Sequence, residues 1–309
     1  MSLKQTEEIT IWVFKDGKKG HEKQSLALID EINKHRKVHI KEFSVIEKTE
    51  DQSIPNLIIG AGRWTHDCIL AAKSQHPSAI SIVLMKPGIK PTQWFDYAIV
   101  PDMDKFYFHK PNNVITTKGV LSKYSTQDIH EGTGLIVIGG PSRHYRFTGG
   151  DQKILMQQIE WLINDEFKHL KWKITTSPRS PDFNKPKHSN NVEFFNWKET
   201  KPEWLSEEIS KSEVTFITPE SVSTLYESLS TKTKVYVFDM PLNSDNNGKI
   251  RTKVTRNIDK LKKSKEIGFI NITKKFFSSV VESIELSNPE NNNPLSEVKR
   301  VAELLLEEL

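Results

Sequence analysis

The feature that most constrains this chain is a set of short, continuously apolar runs separated by segments of helical periodicity. NLIIG and ISIVLM in the first half, and LIVIGG in the second, are apolar at successive positions instead of alternating with polar residues. A strand with this pattern is buried on both faces, as in a parallel sheet covered by helices. The pattern therefore predicts an α/β protein with doubly wound, Rossmann-like sheets.

The length of the chain predicts two such domains, since 309 residues exceed the roughly 100–200 residues of a single domain. The polar stretch LSKYSTQDIHEGT at 121–133 separates two sets of apolar strands. The turn-rich NPENNNP at 288–294 precedes an amphipathic segment, SEVKRVAELLLEEL. We expect an N-terminal domain over 1–125, a C-terminal domain over 126–287, and a linker with a final helix over 288–309 that crosses back to the N-terminal domain.

Composition narrows the classes of partner. A net charge of +4 is too small to predict a nucleic-acid partner and favours a small anionic ligand. A single cysteine, Cys68, excludes an intramolecular disulfide and is typical of a reducing compartment. No apolar run reaches 18 residues, and MSLKQTEEIT lacks the apolar region of a signal peptide, so we expect a cytoplasmic protein.

In an open α/β sheet, ligands collect at the carboxyl ends of the strands, and GGPSRHYRF lies at such an end. Gly139 and Gly140 would let the backbone approach a bulky anion. Ser142 and the amides after it could donate to phosphate oxygens, and Arg143 could add a bidentate contact. The alternative is a tight strand-to-helix turn with solvated charges.

Two further strand ends in the second half carry similar residues. ITTSPRSP places Ser177 and Arg179 after a strand, although its prolines could simply terminate that strand. ITPESVSTLYES places Ser221 and Ser223 at the start of a helix, with Glu227 one turn further along the same face. The serines would face phosphate and Glu227 would hold the vicinal hydroxyls of a ribose. Alternatively, the acid only complements the helix dipole.

The first half supplies candidates for acid/base chemistry. His21 and Glu22 lie in DGKKGHEKQS, directly after the first strand, and Asp104 lies in VPDMD. Histidine exchanges protons near neutral pH, but a lone loop histidine is often only solvated. No P-loop, HExxH, GxSxG or GxGxxG motif occurs, so neither a metal nor a dinucleotide cofactor is predicted.

Several motifs together, in this order and spacing, resemble the bacterial relatives of the plant "elongated mitochondria" fission factor, a family of unknown biochemistry. They extend over about residues 10 to 270 and comprise GHEKQSLAL, PNLIIGAGRWT, FDYAIVPDMD, NVITTKG, IGGPSRHYRF, ITTSPRSP and ITPESVSTLYES with KVYVFDMP. The second half also looks like the donor domain of GT-B glycosyltransferases, most nearly those that add N-acetylglucosamine to a lipid-linked peptidoglycan precursor.

The resemblance implies a GT-B-like arrangement with a nucleotide-diphosphate sugar in the cleft between the domains. It puts Glu227 on the ribose, and Gly140, Ser142, Ser221 and Ser223 near the diphosphate. The implied reaction is metal-independent glycosyl transfer to an acceptor that is lipid-linked or lies at a membrane surface. Arg143 or Arg179 would stabilise the leaving group, and His21 or Asp104 would deprotonate the acceptor.

A second hypothesis comes from another class of protein. The name of the plant relatives implies a non-catalytic interaction protein or a membrane-division factor on a degenerate glycosyltransferase fold. A basic helix favours this hypothesis because it could rest on anionic lipid at a membrane, although it could equally be a solvated face. Its cations are Lys253, Arg256, Lys260, Lys262, Lys263 and Lys265.

Overall fold

The computed structural model describes two compact units, and each is an α/β unit with its own sheet. Unit 1 comprises Met1–Tyr124 with Leu295–Leu309, and unit 2 comprises Ser125–Pro294. The described residues are 8–46, 53–88, 90–104, 109–183, 186, 190–245, 248–249, 251–274, 281–291 and 293–309.

Unit 1 has a six-stranded, fully parallel sheet with the strand order β2-β1-β3-β4-β5-β6. The strands are β1 (Ile9–Lys15), β2 (Val38–Ser44), β3 (Leu57–Ala61), β4 (Ile80–Leu84), β5 (Tyr97–Pro101) and β6 (Val114–Thr117). Its helices are α1 (Lys19–Asn33), α2 (His66–Gln75) and, from the far end of the chain, α7 (Glu297–Glu307).

Both faces of this sheet are buried, which explains the continuous apolar runs. Successive side chains of a strand point to opposite faces. Ile11 and Val13 of β1 therefore pack in the cluster that contains α1 and α7, whereas Trp12 and Phe14 pack in the cluster that contains α2. Because α1 and α2 cover opposite faces, the sheet is doubly wound, as predicted. The strand order reverses between β1 and β3, and the loops after these two strands diverge there.

Helix α7 completes the core of unit 1. Its buried stripe, which consists of Val298, Val301, Ala302 and Leu305, joins the cluster formed with α1. Its polar ends are also fixed: Glu297 accepts a hydrogen bond from the amide of Lys118 at 3.0 Å, and Arg300 donates to the carbonyl of Thr116 at 2.7 Å. The predicted return of the last helix to the N-terminal unit is therefore confirmed.

Unit 2 has a seven-stranded sheet with the order β15-β14-β11-β10-β7-β8-β9, parallel except between β14 and β15. The strands are β7 (His130–Ile138), β8 (Lys171–Thr176), β9 (Val192–Phe195), β10 (Ser212–Ile217), β11 (Lys234–Val237), β14 (Gly268–Lys274) and β15 (Val281–Ser287). A separate two-stranded ribbon is formed by β12 (Ser244–Asp245) and β13 (Gly248–Lys249).

The helices of unit 2 are α3 (Gly149–Trp161), α4 (Trp204–Lys211), α5 (Val222–Leu229) and α6 (Lys253–Lys263). A π-helical turn, Leu162–Glu166, continues α3. The strand order reverses between β7 and β10, so the loops after these two strands diverge at the middle of the sheet. Among the described residues of both units, no helix is long and apolar enough to cross a membrane.

Candidate functional site

In unit 1, the loop after β1 holds a histidine against a buried carboxylate. Nδ1 of His21 lies 2.8 Å from Oδ2 of Asp16, whose side chain is fully buried, while the His21 side chain is 22% exposed. The other oxygen of Asp16 accepts from the amide of Lys18 at 3.1 Å, which fixes the carboxylate. With the proton on Nδ1, the neutral ring keeps a lone pair on Nε2, as a general base requires.

A glycine of the neighbouring strand makes room for this pair. Gly62 follows β3 with φ at 88°, and a Cβ there would lie 2.2 Å from Nδ1 of His21 and 2.9 Å from Asp16. Only glycine satisfies both the backbone conformation and the close approach. The pair therefore lies where the strand order of the sheet reverses, which is where an open α/β sheet binds ligands.

The structure does not bring Asp104, the other candidate base, into this pair. Asp104 lies in the turn after β5, where its amide donates to the carbonyl of Pro101 at 2.8 Å. In the sheet β5 is separated from β1 by β3 and β4. The two strands are thus three inter-strand spacings apart, or roughly 14 Å. Sequence reasoning missed Asp16, the actual partner of His21, although it lies only five residues before the histidine.

In unit 2, the loops after β7 and β10 are joined by hydrogen bonds at the point where the strand order reverses. The amide of Gly139 donates to Oγ1 of Thr218 at 2.7 Å, and the amide of Gly140 donates to Oε1 of Glu220 at 3.0 Å. Both amides are therefore already satisfied inside the protein. That Gly139 and Gly140 let the backbone approach an anion stays a prediction, but their own amides already donate within the protein.

The two glycines instead allow three loops to pack closely. A Cβ at Gly139 would lie 1.5 Å from the carboxylate of Glu220, and one at Gly140 would lie 1.9 Å from the carbonyl oxygen of Arg179. The loop after β8 is also fastened here, because Oγ of Ser180 donates to the carbonyl of Ile138 at 2.7 Å. The carboxyl ends of β7, β8 and β10 thus form one packed platform.

Glu220 is the buried centre of this platform. It is 5% exposed, and its Oε1 accepts from both Gly140 and Thr218. Its Oε2 has no hydrogen-bond partner among the described residues. Burial raises the pKa of this carboxyl, and it outweighs the hydrogen bonds and the charge of Arg179, which act the other way. The site therefore favours the neutral acid more than an exposed position does.

The loop after β7 owes its shape to Ser142. Its Oγ accepts from the amides of His144 and Tyr145 at 3.1 and 3.0 Å, and its carbonyl accepts from the side chain of Asn243 at 2.6 Å. The amide of Asn243 in turn donates to the carbonyl of His144 at 3.0 Å. Ser142 thus holds the loop in place through hydrogen bonds of its own side chain and backbone.

His144 is a buried histidine next to Arg143, and sequence reasoning missed it as a candidate site residue. Burial, followed by the charges of Arg143, Lys253 and Arg179, lowers its pKa and so favours the neutral ring. Nε of Arg143 lies 3.3 Å from Nε2 of His144, so Nε2 accepts and Nδ1 carries the hydrogen. That buried Nδ1 has no partner among the described residues. The charges of three cations and an N–H without a partner among the described residues make this a candidate anion site.

The loop after β8 presents Arg179 on a rigid turn. Ser177 accepts from the amide of Arg179 at 3.3 Å, and the amide of Ser177 donates to Oγ of Ser180 at 2.8 Å. Pro178 and Pro181 flank this turn. Ser177 therefore shapes the loop, and Arg179 is the exposed, charged group that the loop presents.

Helix α5 places the remaining candidates. Oγ of Ser221 lies 2.9 Å from Oγ1 of Thr224, which it meets across the first turn. Ser223 is half-buried one turn before Glu227. Glu227 accepts a short hydrogen bond from Oγ of Ser206 on α4, so its carboxylate has a fixed orientation. Ser223 and Glu227 share a face of the helix, as predicted from their spacing.

A cavity of about 220 Å³ lies beside the Arg179 turn, at the carboxyl ends of β8 and β9. Aromatic and polar side chains both line it, which is typical of a pocket for a planar ring that also forms hydrogen bonds. The lining residues are Thr176, Pro178, Ser180, Pro181, Asp182, Phe183, Phe194, Asn196, Trp197 and Lys198.

Arg146 stabilises the fold and is not assigned to the candidate anion site. Its guanidinium forms two hydrogen bonds of 2.9 Å with Asp151, which is 2% exposed in the first turn of α3. Thr148 and Asp151 also cap the helix reciprocally, with the Asp151 carboxylate accepting from the amide and hydroxyl of Thr148.

We expect Asp151→Asn to lower the free energy of unfolding by about 2 kcal/mol at pH 7. Burial opposes ionisation of Asp151, but its bonds to Arg146 and Thr148 outweigh burial and lower its pKa to about 2. The ionised form therefore stabilises the fold above the unfolded pKa of roughly 3.9, and this contribution is lost as the pH falls through the folded value. Urea unfolding across that range measures it.

Lys153→Gln is the matched control, since it removes an exposed charge from the same helix. It should leave the free energy of unfolding within about 0.5 kcal/mol of the parent at every pH. An Asp151→Asn variant as stable as the parent at pH 7 would mean that the pair contributes nothing to the fold.

Taken together, the two sheets and their loops define a class: a two-unit α/β protein with an Asp–His pair at one strand reversal and a buried histidine under the charges of three cations at the other. The family model described as "Mitochondrial fission ELM1" matches residues 19–309. The chain belongs to that family, which confirms the resemblance found in its motifs. No curated protein matches the chain significantly.

Among solved structures, the chain is similar to several sugar-nucleotide enzymes at low identity. One is UDP-GlcNAc 2-epimerase from Neisseria meningitidis bound to UDP-GlcNAc, with 13% identity, a TM-score of 0.45, and coverage of 97% of this chain and 100% of that one. Another is Phytolacca americana UGT2 complexed with UDP-2fluoro-glucose and pterostilbene, with 8% identity, a TM-score of 0.47, and coverage of 97% and 90%. The E. coli heptosyltransferase WaaC with ADP has 7% identity, a TM-score of 0.45, and coverage of 84% and 98%.

Proposed function

We propose that this chain is a metal-independent glycosyltransferase of the GT-B type that uses a nucleotide-diphosphate sugar as donor. The observation that carries the proposal is the candidate anion site of unit 2, where Arg143 donates to the ring of His144, the charges of Lys253 and Arg179 also act on that ring, and its buried Nδ1 has no partner among the described residues. A diphosphate carries more negative charge than a single carboxylate and therefore fits a site with several cations better. An arginine side chain can also bind two phosphate oxygens at once. Lys253 is the first residue of α6, so its charge lies at the start of that helix, where the helix dipole also favours an anion.

The same edge of the sheet offers places for the rest of the nucleotide. The cavity beside the Arg179 turn has the aromatic side chains of Phe194 and Trp197 for stacking with a base. Glu227, oriented by Ser206, is the acceptor for ribose hydroxyls. Ser221 and Ser223 lie at the start of α5, where hydroxyls and helix amides favour an anion.

The proposed reaction assigns the base to unit 1. Nε2 of His21 takes the proton from the acceptor hydroxyl, and Asp16 stabilises the imidazolium that forms. The acceptor oxygen forms a bond to C1 of the sugar, and the bond from C1 to the diphosphate oxygen breaks. The charge that develops on the departing diphosphate is stabilised by the cations of the anion site, where other enzymes use a metal ion.

Four of the predicted site residues take a scaffolding role in this proposal. Gly139 and Gly140 bring the loops together, and Ser142 and Ser177 hold the turns that present Arg143 and Arg179. Contact with the diphosphate is therefore assigned to side chains and the start of α6, and the Gly139 and Gly140 amides take no part.

Calorimetric titration of the full chain with UDP, ADP and the corresponding monophosphates and nucleosides tests the donor site. We expect the diphosphates to bind most tightly, and Glu227→Gln to weaken them at least tenfold, because a bond to a charged group contributes roughly 1.5–3 kcal/mol. Thermal unfolding should show a stabilisation of about 2.7 kcal/mol at one hundred times the dissociation constant.

The control for Glu227→Gln is Glu207→Gln, which removes an exposed carboxylate from α4 without touching the site. Its affinity for UDP should equal that of the parent. If no nucleoside diphosphate binds, the donor proposal fails. If diphosphates bind equally well to Glu227→Gln, only the ribose role of that residue fails.

A further inference from the structure

The outward face of α6 is a continuous cationic stripe. Lys253, Arg256, Lys260 and Lys263 recur at intervals of three and four residues and are all exposed, so they lie on one side of the helix. The opposite side is buried and includes Val254, Ile258 and Leu261. With a rise of 1.5 Å per residue, the stripe extends roughly 15 Å from the anion site along the helix.

A groove of about 780 Å³ accompanies this stripe. Five cationic side chains and one acid line it together with Ser264, so its charge is strongly positive. The cations are Arg251, Arg256, Lys260, Lys262 and Lys263, and the acid is Asp259. The groove has no aromatic lining residue.

Two lysines of the basic segment predicted from the sequence are not part of the outward face. Lys262 is half-buried over the ring of Phe269, 4.7 Å from its centroid, and burial lowers its pKa. Lys265 lies beyond the end of α6 and pairs with Glu290. Arg251, which was not predicted, joins the face from the residues before the helix. The surface is therefore Arg251, Arg256, Lys260 and Lys263, with Lys253 at the end next to the anion site.

We propose that this face of α6 is a docking surface for an anionic lipid bilayer. An amphipathic helix with a basic outer face is attracted to negatively charged headgroups, at about 1 kcal/mol for each Lys or Arg near the surface. The large exposed apolar side chains of the described residues, such as Trp64 and Ile54, are not on α6, so the contact is electrostatic and does not insert into the bilayer.

A nucleic-acid partner fits the same observations less well. Proteins that bind single strands add aromatic side chains for base stacking, and this groove has none among its lining residues. The net charge of the whole chain is only +4, whereas nucleic-acid-binding domains carry a larger basic excess. A single basic stripe can bind a flat, negatively charged surface without side chains that recognise individual groups. An anionic bilayer provides such a surface.

Sedimentation of the full chain with vesicles tests the proposal, which goes beyond the donor site and needs no nucleotide. Vesicles of phosphatidylcholine alone are compared with vesicles that contain about one third phosphatidylserine. We expect binding only to the latter, with strong loss of binding at high salt. The triple variant Arg256→Gln, Lys260→Gln, Lys263→Gln should bind on the order of a hundredfold more weakly.

The matched control is Lys168→Gln, Lys171→Gln, Lys201→Gln, which removes three exposed charges from other parts of unit 2. It should change vesicle binding less than twofold, and neither triple variant should change the affinity for UDP. Equal loss in both triple variants would show an effect of net charge alone and overturn the proposal. So would equal binding to both kinds of vesicle, or a triple α6 variant that loses binding to a short RNA but keeps its binding to vesicles.

Discussion

His21→Ala should lower kcat for glycosyl transfer by about 10²–10⁴ while leaving the affinity for UDP within twofold of the parent. The factor is that of a positioned general base. The groups proposed to bind the donor all belong to unit 2, so the substitution in unit 1 should remove proton transfer and not nucleotide binding. Single-turnover kinetics with a saturating donor, together with calorimetric titration of UDP, measure the two effects separately.

Asp16→Asn provides the sharper form of this test, because it changes the proton on His21 and little else. An amide in place of the carboxylate can present its N–H to Nδ1, which then becomes the acceptor and leaves the hydrogen on Nε2. The base would be in the wrong tautomer, and we expect kcat to fall to nearly the level of His21→Ala. The outcome that contradicts the role of this pair is an Asp16→Asn enzyme with full activity. Glu22→Gln, one residue from His21, is the control and should retain activity.

Gly140→Val should both destabilise unit 2 and abolish measurable nucleotide binding. A Cβ at this position would lie 1.9 Å from the carbonyl oxygen of Arg179 and 2.4 Å from its carbonyl carbon, and both atoms are backbone. One loop must therefore move. Overpacking of this kind costs about 1–3 kcal/mol. The movement would displace Arg143 and Arg179 from the positions in which they face a common anion, which we expect to lower the affinity for UDP more than a hundredfold.

Two controls separate packing from charge. Gly149→Ala adds a Cβ where no atom lies within 4 Å, and it should leave both stability and affinity unchanged. Arg143→Ala removes one exposed cation and should weaken UDP by roughly tenfold without destabilising the fold. Arg146→Ala should be nearly neutral for UDP affinity, because its guanidinium is bound to Asp151. If Gly140→Val retains affinity while Arg143→Ala alone abolishes it, the anion site depends on an arginine clamp and not on the packed platform.

Most of the two sheets can be predicted from the sequence, because a strand that is buried on both faces is apolar at successive positions. NLIIG and ISIVLM predict β3 and β4, and the position of candidate residues directly after such strands predicts that they lie at the carboxyl edge of a sheet. Elements without that pattern were not predicted. Helix α4 is only eight residues long, and β15 is an antiparallel edge strand with several exposed residues. Strand β7 begins at His130, although the polar stretch to 133 predicts an irregular segment.

The site could be predicted only as far as local sequence determines it. Gly139 and Gly140 identify a close approach of the backbone, but the sequence does not show that the groups packed against them are Glu220 and Arg179 from distant loops. The burial of His144 and the effect of the Lys253 charge on its pKa likewise depend on loops from distant parts of the chain. Asp16 was the exception, since a carboxylate five residues before His21 on one loop was a local signal that could have been used.

The return of α7 to unit 1 has a consequence for the order in which the chain becomes folded during its synthesis. The core of unit 1 includes Val298, Val301 and Leu305, so this unit lacks part of its core until the ribosome has made the residues that directly follow the whole of unit 2. Unit 2 is continuous from 125 to 294 and is complete first, because domains fold as units once their residues have emerged. A chain that stops before α7 thus has a complete unit 2 but an incomplete core in unit 1, and the exposed apolar surface of unit 1 marks it for degradation.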